Sequence, residues 1–310
     1  GEFISQFGRA GEGPGEFKTA WSLFVREPDT LVVADYRPWR FSFFSTEGEF
    51  FRSVVMDPWI IERPDIAFPL SPGHGFVVQG FRFNRDETAF WDDSAGLRLY
   101  TETGALVDTI GTVWTEKLGF LSTERRMVGS PIFGAHAAVD HIQDDEFFYA
   151  SGLHQQIEVR DTGGGIRRII RWQSRPRQVE ERDAEEWRLA FRQRYEELFG
   201  DRPGIEEIIR DNIGDHRPVA DSFPAHQGVK VARDGFIWVR EFRRPSDVGP
   251  DRWLVFDADG DLRCQALVPE GTLVYHVGSD HIVGAVRDQF DVDYIIRLSV
   301  GAPKPGSDSP

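Results

Sequence analysis

Three histidines are the residues best placed to do chemistry. Phe133-Gly-Ala-His136 and Phe223-Pro-Ala-His226 share the pattern Phe-x-Ala-His, and each precedes a short apolar run, Ala137 to Val139 in one case and Val229 to Val231 in the other. Their imidazoles are expected at equivalent places on neighbouring strands. His276, less well aligned, sits in the run that begins at Leu273. Three imidazoles turned towards one point can hold zinc or another divalent metal, which then acts as a Lewis acid or activates water. Against a metal, Trp21 takes the matching place in the first unit, and a repeat gathers similar side chains at equivalent positions without any ion. Histidines bonded to backbone carbonyls and water are the competing reading.

Other chemistry has weaker support. The segment Phe7-Gly-Arg-Ala-Gly-Glu-Gly-Pro-Gly-Glu-Phe17 has the glycines of a loop whose amides cradle phosphate. It lacks a Gly-Lys-Ser/Thr ending, and Glu12 and Glu16 would repel an anion, so it reads as a structural connection. Asp140, Asp144 and Asp145, like Asp288, Asp291 and Asp293, could bind calcium, but acidic clusters between strands are usually solvated turns. No Gly-x-Ser-x-Gly elbow is present. Cys264 is the sole cysteine, which excludes an internal disulfide and a thiolate zinc cluster, and no motif marks it as a nucleophile.

The elements that must carry these residues repeat along the chain. Phe41 to Val55, Leu97 to Ile110, Ile157 to Ile170 and Leu254 to Val268 each read as strand, glycine turn, strand, with Gly48, Gly104, Gly163 and Gly260 at the turns. Two further apolar runs precede each hairpin: Ser22 to Val25 with Leu31 to Ala34, Ile66 to Leu70 with Phe76 to Val78, Ala137 to Val139 with Phe147 to Ala150, and Val229 to Val231 with Phe236 to Val239. Units of four strands at this spacing make an all-β chain of propeller blades. A fifth unit runs from Leu273 through Ile282 to Val286 and Tyr294 to Leu298, then lacks its last strand. Glu2-Phe-Ile-Ser-Gln-Phe-Gly8 resembles the outermost strand Ala105 to Gly111, so Phe3 and Ile4 are expected beside Tyr294 to Leu298, closing the ring.

On these residues the chain resembles the NHL-type six-bladed β-propellers, particularly their bacterial extracytoplasmic members. The glycine-rich lead-in, Leu31-Val-Val-Ala-Asp-Tyr-Arg-Pro-Trp-Arg-Phe41, and Asp234-Gly-Phe-Ile-Trp-Val-Arg240 with Arg252 to Gly260 carry the likeness, which weakens between Thr112 and Pro131. The resemblance implies six blades where five are countable, so that stretch is the place for an irregular blade. It also implies the zinc alternative, since metal-dependent lyases of this type use histidines at the channel. Calcium-dependent propeller lactonases use asparagines and carboxylates, and the only asparagines, Asn84 and Asn212, lie outside the expected inner strands.

One segment breaks the strand pattern. Across about 176–213 the period becomes helical: Trp187, Phe191, Tyr195 and Leu198 share a face, Asp183 is the expected cap with Glu186 completing a capping box, and Gly200 with Pro203 ends the helix. A shorter helix is expected over Ile205 to Arg210. The insertion is either a lid packed on the propeller or a partner-binding arm.

A net charge of −15 disfavours nucleic acid and suits a basic protein. No apolar run approaches the roughly 20 residues of a membrane-spanning helix. Residues 1–300 are expected to form one domain, followed by a loose tail, 301–310. The absence of an initial methionine suggests removal of an upstream signal or anchor and an extracytoplasmic, periplasmic or cell-surface location. With many aromatics and long connections on a rigid ring, the expected function is non-catalytic: a subunit or scaffold that binds protein within a larger, membrane-attached complex. Trp59, Phe90, Trp91, Trp187, Phe191 and Tyr195 are the candidate contacts. The alternative is a metal-dependent lyase or hydrolase at His136, His226 and His276.

Overall fold

The fold is that of a computed structural model, described for residues 5–26, 28–36, 39–56, 63–81, 90–173, 178–200 and 202–301. A short parallel pair, β1 (Arg9–Ala10) and β2 (Glu16–Phe17), precedes the first blade. Blade 1 is β3 (Ala20–Arg26), β4 (Thr30–Tyr36), β5 (Trp39–Ser45) and β6 (Phe50–Val55). Blade 2 is β7 (Arg63–Pro69), β8 (Phe76–Phe81), β9 (Trp91–Tyr100), β10 (Leu106–Ser122) and β11 (Met127–Gly129). Blade 3 is β12 (Ala138–Gln143), β13 (Glu146–Ala150), β14 (Gln156–Asp161) and β15 (Ile166–Arg171). Helices α1 (Glu181–Phe199) and α2 (Ile205–Ile213) follow. Blade 4 is β16 (Gly228–Val231), β17 (Ile237–Arg240), β18 (Asp251–Phe256) and β19 (Leu262–Val268). Blade 5 is β20 (Leu273–Val277), β21 (His281–Arg287) and β22 (Asp293–Ser299).

Within every blade the strands are antiparallel and in chain order, and the innermost strand touches its counterpart in the next: β3 with β7, β7 with β12, β12 with β16, β16 with β20. This radial arrangement of sheets is a β-propeller. The core lies in wedges between neighbouring blades. Phe41, Phe43 and Val54 meet Phe76 and Val78; Phe68 and Leu97 meet Val139 and Phe147; Ile157 and Ile170 meet Val229 and Phe256; Trp238 and Trp253 meet Val277 and Ile282. Strands buried on both faces need near-continuous apolar runs, which explains Phe41-Ser-Phe-Phe44 and Phe147-Phe-Tyr-Ala150.

The outer hairpins of blades 1 to 4 share one turn. Ser45, Thr101, Asp161 and Asp257 open it, each accepting backbone N–H bonds from residues further along the turn through its side-chain oxygen. Gly48, Gly104, Gly164 and Gly260 close it at φ of 90°, 87°, 83° and 93°. In the third blade the left-handed position is thus Gly164, one residue beyond the expected Gly163. Each turn glycine abuts an outer strand: Gly104 faces the Val55 carbonyl of blade 1, Gly164 the Ile110 carbonyl of blade 2, and Gly260 the Ile170 side chain of blade 3. Gly48 faces Phe7. Phe7 therefore holds, against blade 1, the place that the preceding blade's outer strand holds elsewhere. Phe3 and Ile4 themselves lie outside the described residues.

Five blades are present among the described residues, and Thr112 to Pro131 does not hold a sixth. β10 continues to Ser122 along β9, its side chains alternating between buried and more exposed positions, and β11 folds back on it as a fifth strand. The helix cap also differs from expectation. Glu180 is the cap residue and Asp183 stands at the third helical position, where its buried carboxylate accepts the Glu180 N–H at 2.8 Å. An Asp can fill either role, so only the position of the preceding turn decides between them. Gly200 ends α1 as expected.

Candidate functional site

The glycine-rich lead-in is a packed connection. Arg40, buried in blade 1, donates to the carbonyls of Glu12 (2.9 Å) and Glu16 (2.6 Å), and Glu16 accepts the Gly13 N–H at 2.8 Å. Phe7 and Phe17 lie against Phe44, with ring centroids 5.1 and 5.7 Å apart. These contacts cover the outer half of the blade 1 face that points away from blade 2. The inner half is open: Trp21, Leu23 and Val25, alternate residues of β3, are 61%, 63% and 62% exposed. Their counterparts facing the preceding blade, Ala67 in β7, Val139 in β12, Val229 in β16 and Val277 in β20, are all buried. Across the ring's end, Leu273 and Tyr275 of β20 are 55% and 57% exposed, and Ile295 of β22 is exposed beside them. Among the described residues the seam between blades 5 and 1 thus carries exposed apolar side chains on its inner strands, while Phe7 packs on the blade 1 side at the rim.

A second cluster lies before β12 and β16. His136 Nδ1 stands 3.0 Å from Glu116 Oε2, which also accepts from Ser130 Oγ at 2.8 Å, while the His136 ring is largely exposed. Burial works to raise the Glu116 pKa, but the hydrogen bonds from His136 and Ser130 hold it below the ordinary carboxylate range. Nearby Asp93 accepts from Thr115 at 3.2 Å and is pushed up by its burial. His226 is buried, and its pKa falls to about 4, through burial first and the neighbouring His136 charge last. Neither ring nitrogen of His226 meets hydrogen-bond geometry, although the Ala150 carbonyl offsets part of the burial effect. Phe133, three residues before His136, holds φ at 60°, in the left-handed region.

His136 and His226 lie near each other, but before β12 and β16 and not on them, and in unlike surroundings, the first ring exposed and the second buried. His276 does not join them. Its ring lies 6.1 Å from that of His281, and its electrostatic neighbours are His281, Arg233 and Lys230. Among the described residues no group of three or more His, Cys, Asp or Glu is placed to hold a metal ion. The alignment failed because β20 carries a register shift between Val274 and His276, which changes the face on which later side chains emerge. Part of each acidic cluster forms a turn: Asp288 accepts from Phe290 N and Val292 N at 2.8 and 3.0 Å, and Asp144 sits at φ 47°, while Asp140 lies in β12 and Asp293 in β22.

The helical insertion is tied to the ring. Ile132 N donates to Pro218 O at 2.9 Å, Ala220 N to Ile132 O at 3.0 Å, Arg217 Nε to Ser130 O at 2.8 Å, and Arg125 pairs with Asp211 at 3.1 Å. Trp187 packs beneath Arg217 and against the Ile132–Phe133–Phe223 cluster. Phe191 and Tyr195 continue its ladder, stacked at 4.2 Å and half-buried; the fourth rung is Phe199, whereas Leu198 points to solvent. The spacing of four gives this rung directly, since Phe199 follows Tyr195 by four residues and Leu198 by three. Phe90 lies over Gly119 and Trp91 against Phe120, both half-buried on the extended β10. Trp59 lies outside the described residues. Cys264 is half-buried in β19, and burial pushes its thiol up.

No family model and no curated protein matches the chain. Among solved structures it is similar to a candidate exported protein of Bacteroides fragilis, at 14% identity and TM-score 0.45, over 92% of this chain and 71% of that one. A DUF4221 family member from Bacteroides vulgatus gives 10% identity and TM-score 0.44, over 94% and 81%. The β-propeller domain of the Trilobed protease from Pyrococcus furiosus gives 11% and 0.38, over 91% and 69%. Likeness at this level concerns the fold, and this chain is a β-propeller protein on the strength of its own radial sheets.

Proposed function

We propose that this chain is a non-catalytic, protein-binding propeller of the NHL type. It serves as an extracytoplasmic subunit or scaffold of a larger, membrane-attached complex. The observation that carries the reading is the exposure of large apolar side chains on the inner strands at either side of the seam, Trp21, Leu23 and Val25 in blade 1 and Leu273 and Tyr275 in blade 5. Large apolar side chains aligned in one place cost free energy in water and mark interaction sites. Tryptophan and tyrosine are also the residues that dominate binding energy at interfaces. The acidic charge adds preference for a basic partner. Purification of the tagged protein from the envelope fraction of its source cells at mild ionic strength tests this reading: a partner in fixed stoichiometry is expected, and a chain that elutes alone from both envelope and soluble fractions contradicts it.

One observation favours a second reading, acid–base chemistry at His136. A histidine whose Nδ1 is held by a carboxylate and whose ring reaches solvent has the polarity of a general base. His136→Gln removes the proton-transfer group. Under this reading it abolishes turnover of any substrate found by screening esters and lactones against the wild-type protein; unchanged turnover excludes it.

A further inference from the structure

We propose that residues 218–227, the strap that returns the chain from α2 to blade 4, release from the ring on acidification, because His226 has no room for a second proton where it is buried. Release uncovers Phe223 and the parts of Phe133 and Trp187 packed with it. It does not depend on the protein-binding reading. Backbone bonds hold the strap at both ends. Ile132 N donates to Pro218 O at 2.9 Å and Ala220 N to Ile132 O at 3.0 Å; further along, Ala225 N donates to Gly152 O and Gln227 N to Arg240 O, both at 2.8 Å. His226 lies between these last two donors, 4% exposed, with neither ring nitrogen in hydrogen-bond geometry. A neutral imidazole without partners is already costly there, and an imidazolium adds a second N–H donor and a full charge to the same buried place.

The groups that face His226 do not compensate. They are the Ala150 carbonyl, which can accept one N–H, and the imidazole of His136, which brings no negative charge. Glu116, the carboxylate beyond His136, is already engaged by His136 Nδ1 and Ser130 Oγ. The segments around the ring are also in close contact, since a Cβ added to Gly152 would stand 2.7 Å from the His136 carbonyl. The strap's other anchor is strained. Phe133 holds φ at 60°, a left-handed conformation that bulky residues rarely adopt, and it is kept there by Phe223 and Phe242, with ring centroids 4.9 and 6.0 Å away. Phe223 belongs to the strap, so its departure frees Phe133 to relax. An unpartnered buried imidazole near one end and a forced backbone at the other give this one segment two arrangements that a proton can choose between.

Hydrogen exchange of the full chain at pH 7.5 and pH 5, expressed as protection relative to an unstructured peptide at the same pH, tests the release. The imidazole titrates near 4 when closed and near its ordinary 6.5 when open, so acidification over this range should multiply the open population about thirtyfold. Protection of the Ala220, Ala225 and Gln227 amides should fall by that factor. At both pH values it should also lie below the protection of β13 and β14 and be insensitive to dilute urea, as local opening requires. His226→Phe should abolish the fall. Unchanged strap protection at pH 5, the same fall in His226→Phe, or strap protection that matches β13 and β14 and drops with urea as theirs does would each overturn the proposal. If His226→Phe does not fold, the comparison of strap with β13 and β14 in the wild type decides alone.

Discussion

The ring of Phe7 lies against Gly48 so closely that a Cβ added to the glycine would stand 2.6 Å from Phe7 Cδ1. Val55, Ile110 and Ile170 make the equivalent approach to Gly104, Gly164 and Gly260. An aromatic side chain near the start of the chain thus completes a contact that the other blades make with their predecessors. Gly48→Ala should cost about 1–3 kcal/mol, from left-handed strain and collision with the ring. Chemical denaturation of Gly48→Ala, Phe7→Ala and the double variant measures the coupling. The double variant should lose less than the sum of the two, and strict additivity would separate the residues.

Burial of His226 makes stability depend on pH in one direction. Its pKa is about 4 in the folded chain against 6.5 as its ordinary value, so below pH 6.5 the unfolded chain binds the extra proton. Stability contributed by this site is therefore intact above pH 6.5 and is lost as pH falls towards 4. At 1.36 kcal/mol per pH unit the loss is on the order of 3 kcal/mol at most. Denaturant titrations between pH 4 and 7 should show this slope flattened in His226→Phe; an identical slope in the variant would assign it to other groups.

Asp183 anchors the start of the helical insertion. Its carboxylate accepts the Glu180 N–H and faces Arg244 at 3.7 Å while itself buried. Asp183→Ala should destabilise by about 3 kcal/mol, because it removes the acceptor of the Glu180 N–H in the capping box and leaves the arginine without its buried counter-charge. Asp183→Asn retains an acceptor and should cost less. Limited proteolysis provides the readout, with cleavage between Glu180 and Arg217 accelerated in the alanine variant and slow in the wild type.

Cys264 should react slowly with iodoacetamide at neutral pH, since burial disfavours its thiolate. Alkylation in native buffer should become rapid only after denaturation, and fast labelling of the folded chain would show β19 to be open.

Residues that repeat made the blades legible. Three of the four turn glycines, the apolar runs and the last blade's three strands among the described residues follow from the period. Features set by tertiary contact were not. Nothing local tells Thr112 to Ser122 to extend β9 instead of starting a blade, because alternation fits either pairing. His276, less well aligned with His136 and His226 from the start, lies within β20 beside a register shift, while the other two precede their strands. The Glu116–His136 pair joins two segments by a single bridge and has no spacing signature. Trp21, Leu23 and Val25 resemble core residues of any inner strand, and only their exposure distinguishes them.

Hydroxyl-radical footprinting of the isolated chain by mass spectrometry tests the open seam most directly, since it compares inner-strand side chains that differ only in their neighbours. Trp21, Leu23, Leu273 and Tyr275 should oxidise rapidly while Phe68, Val139 and Val277 remain protected. Protection of Trp21 and Tyr275 equal to that of Phe68 would mean that the first and last blades are sealed, and the binding surface described here would not exist.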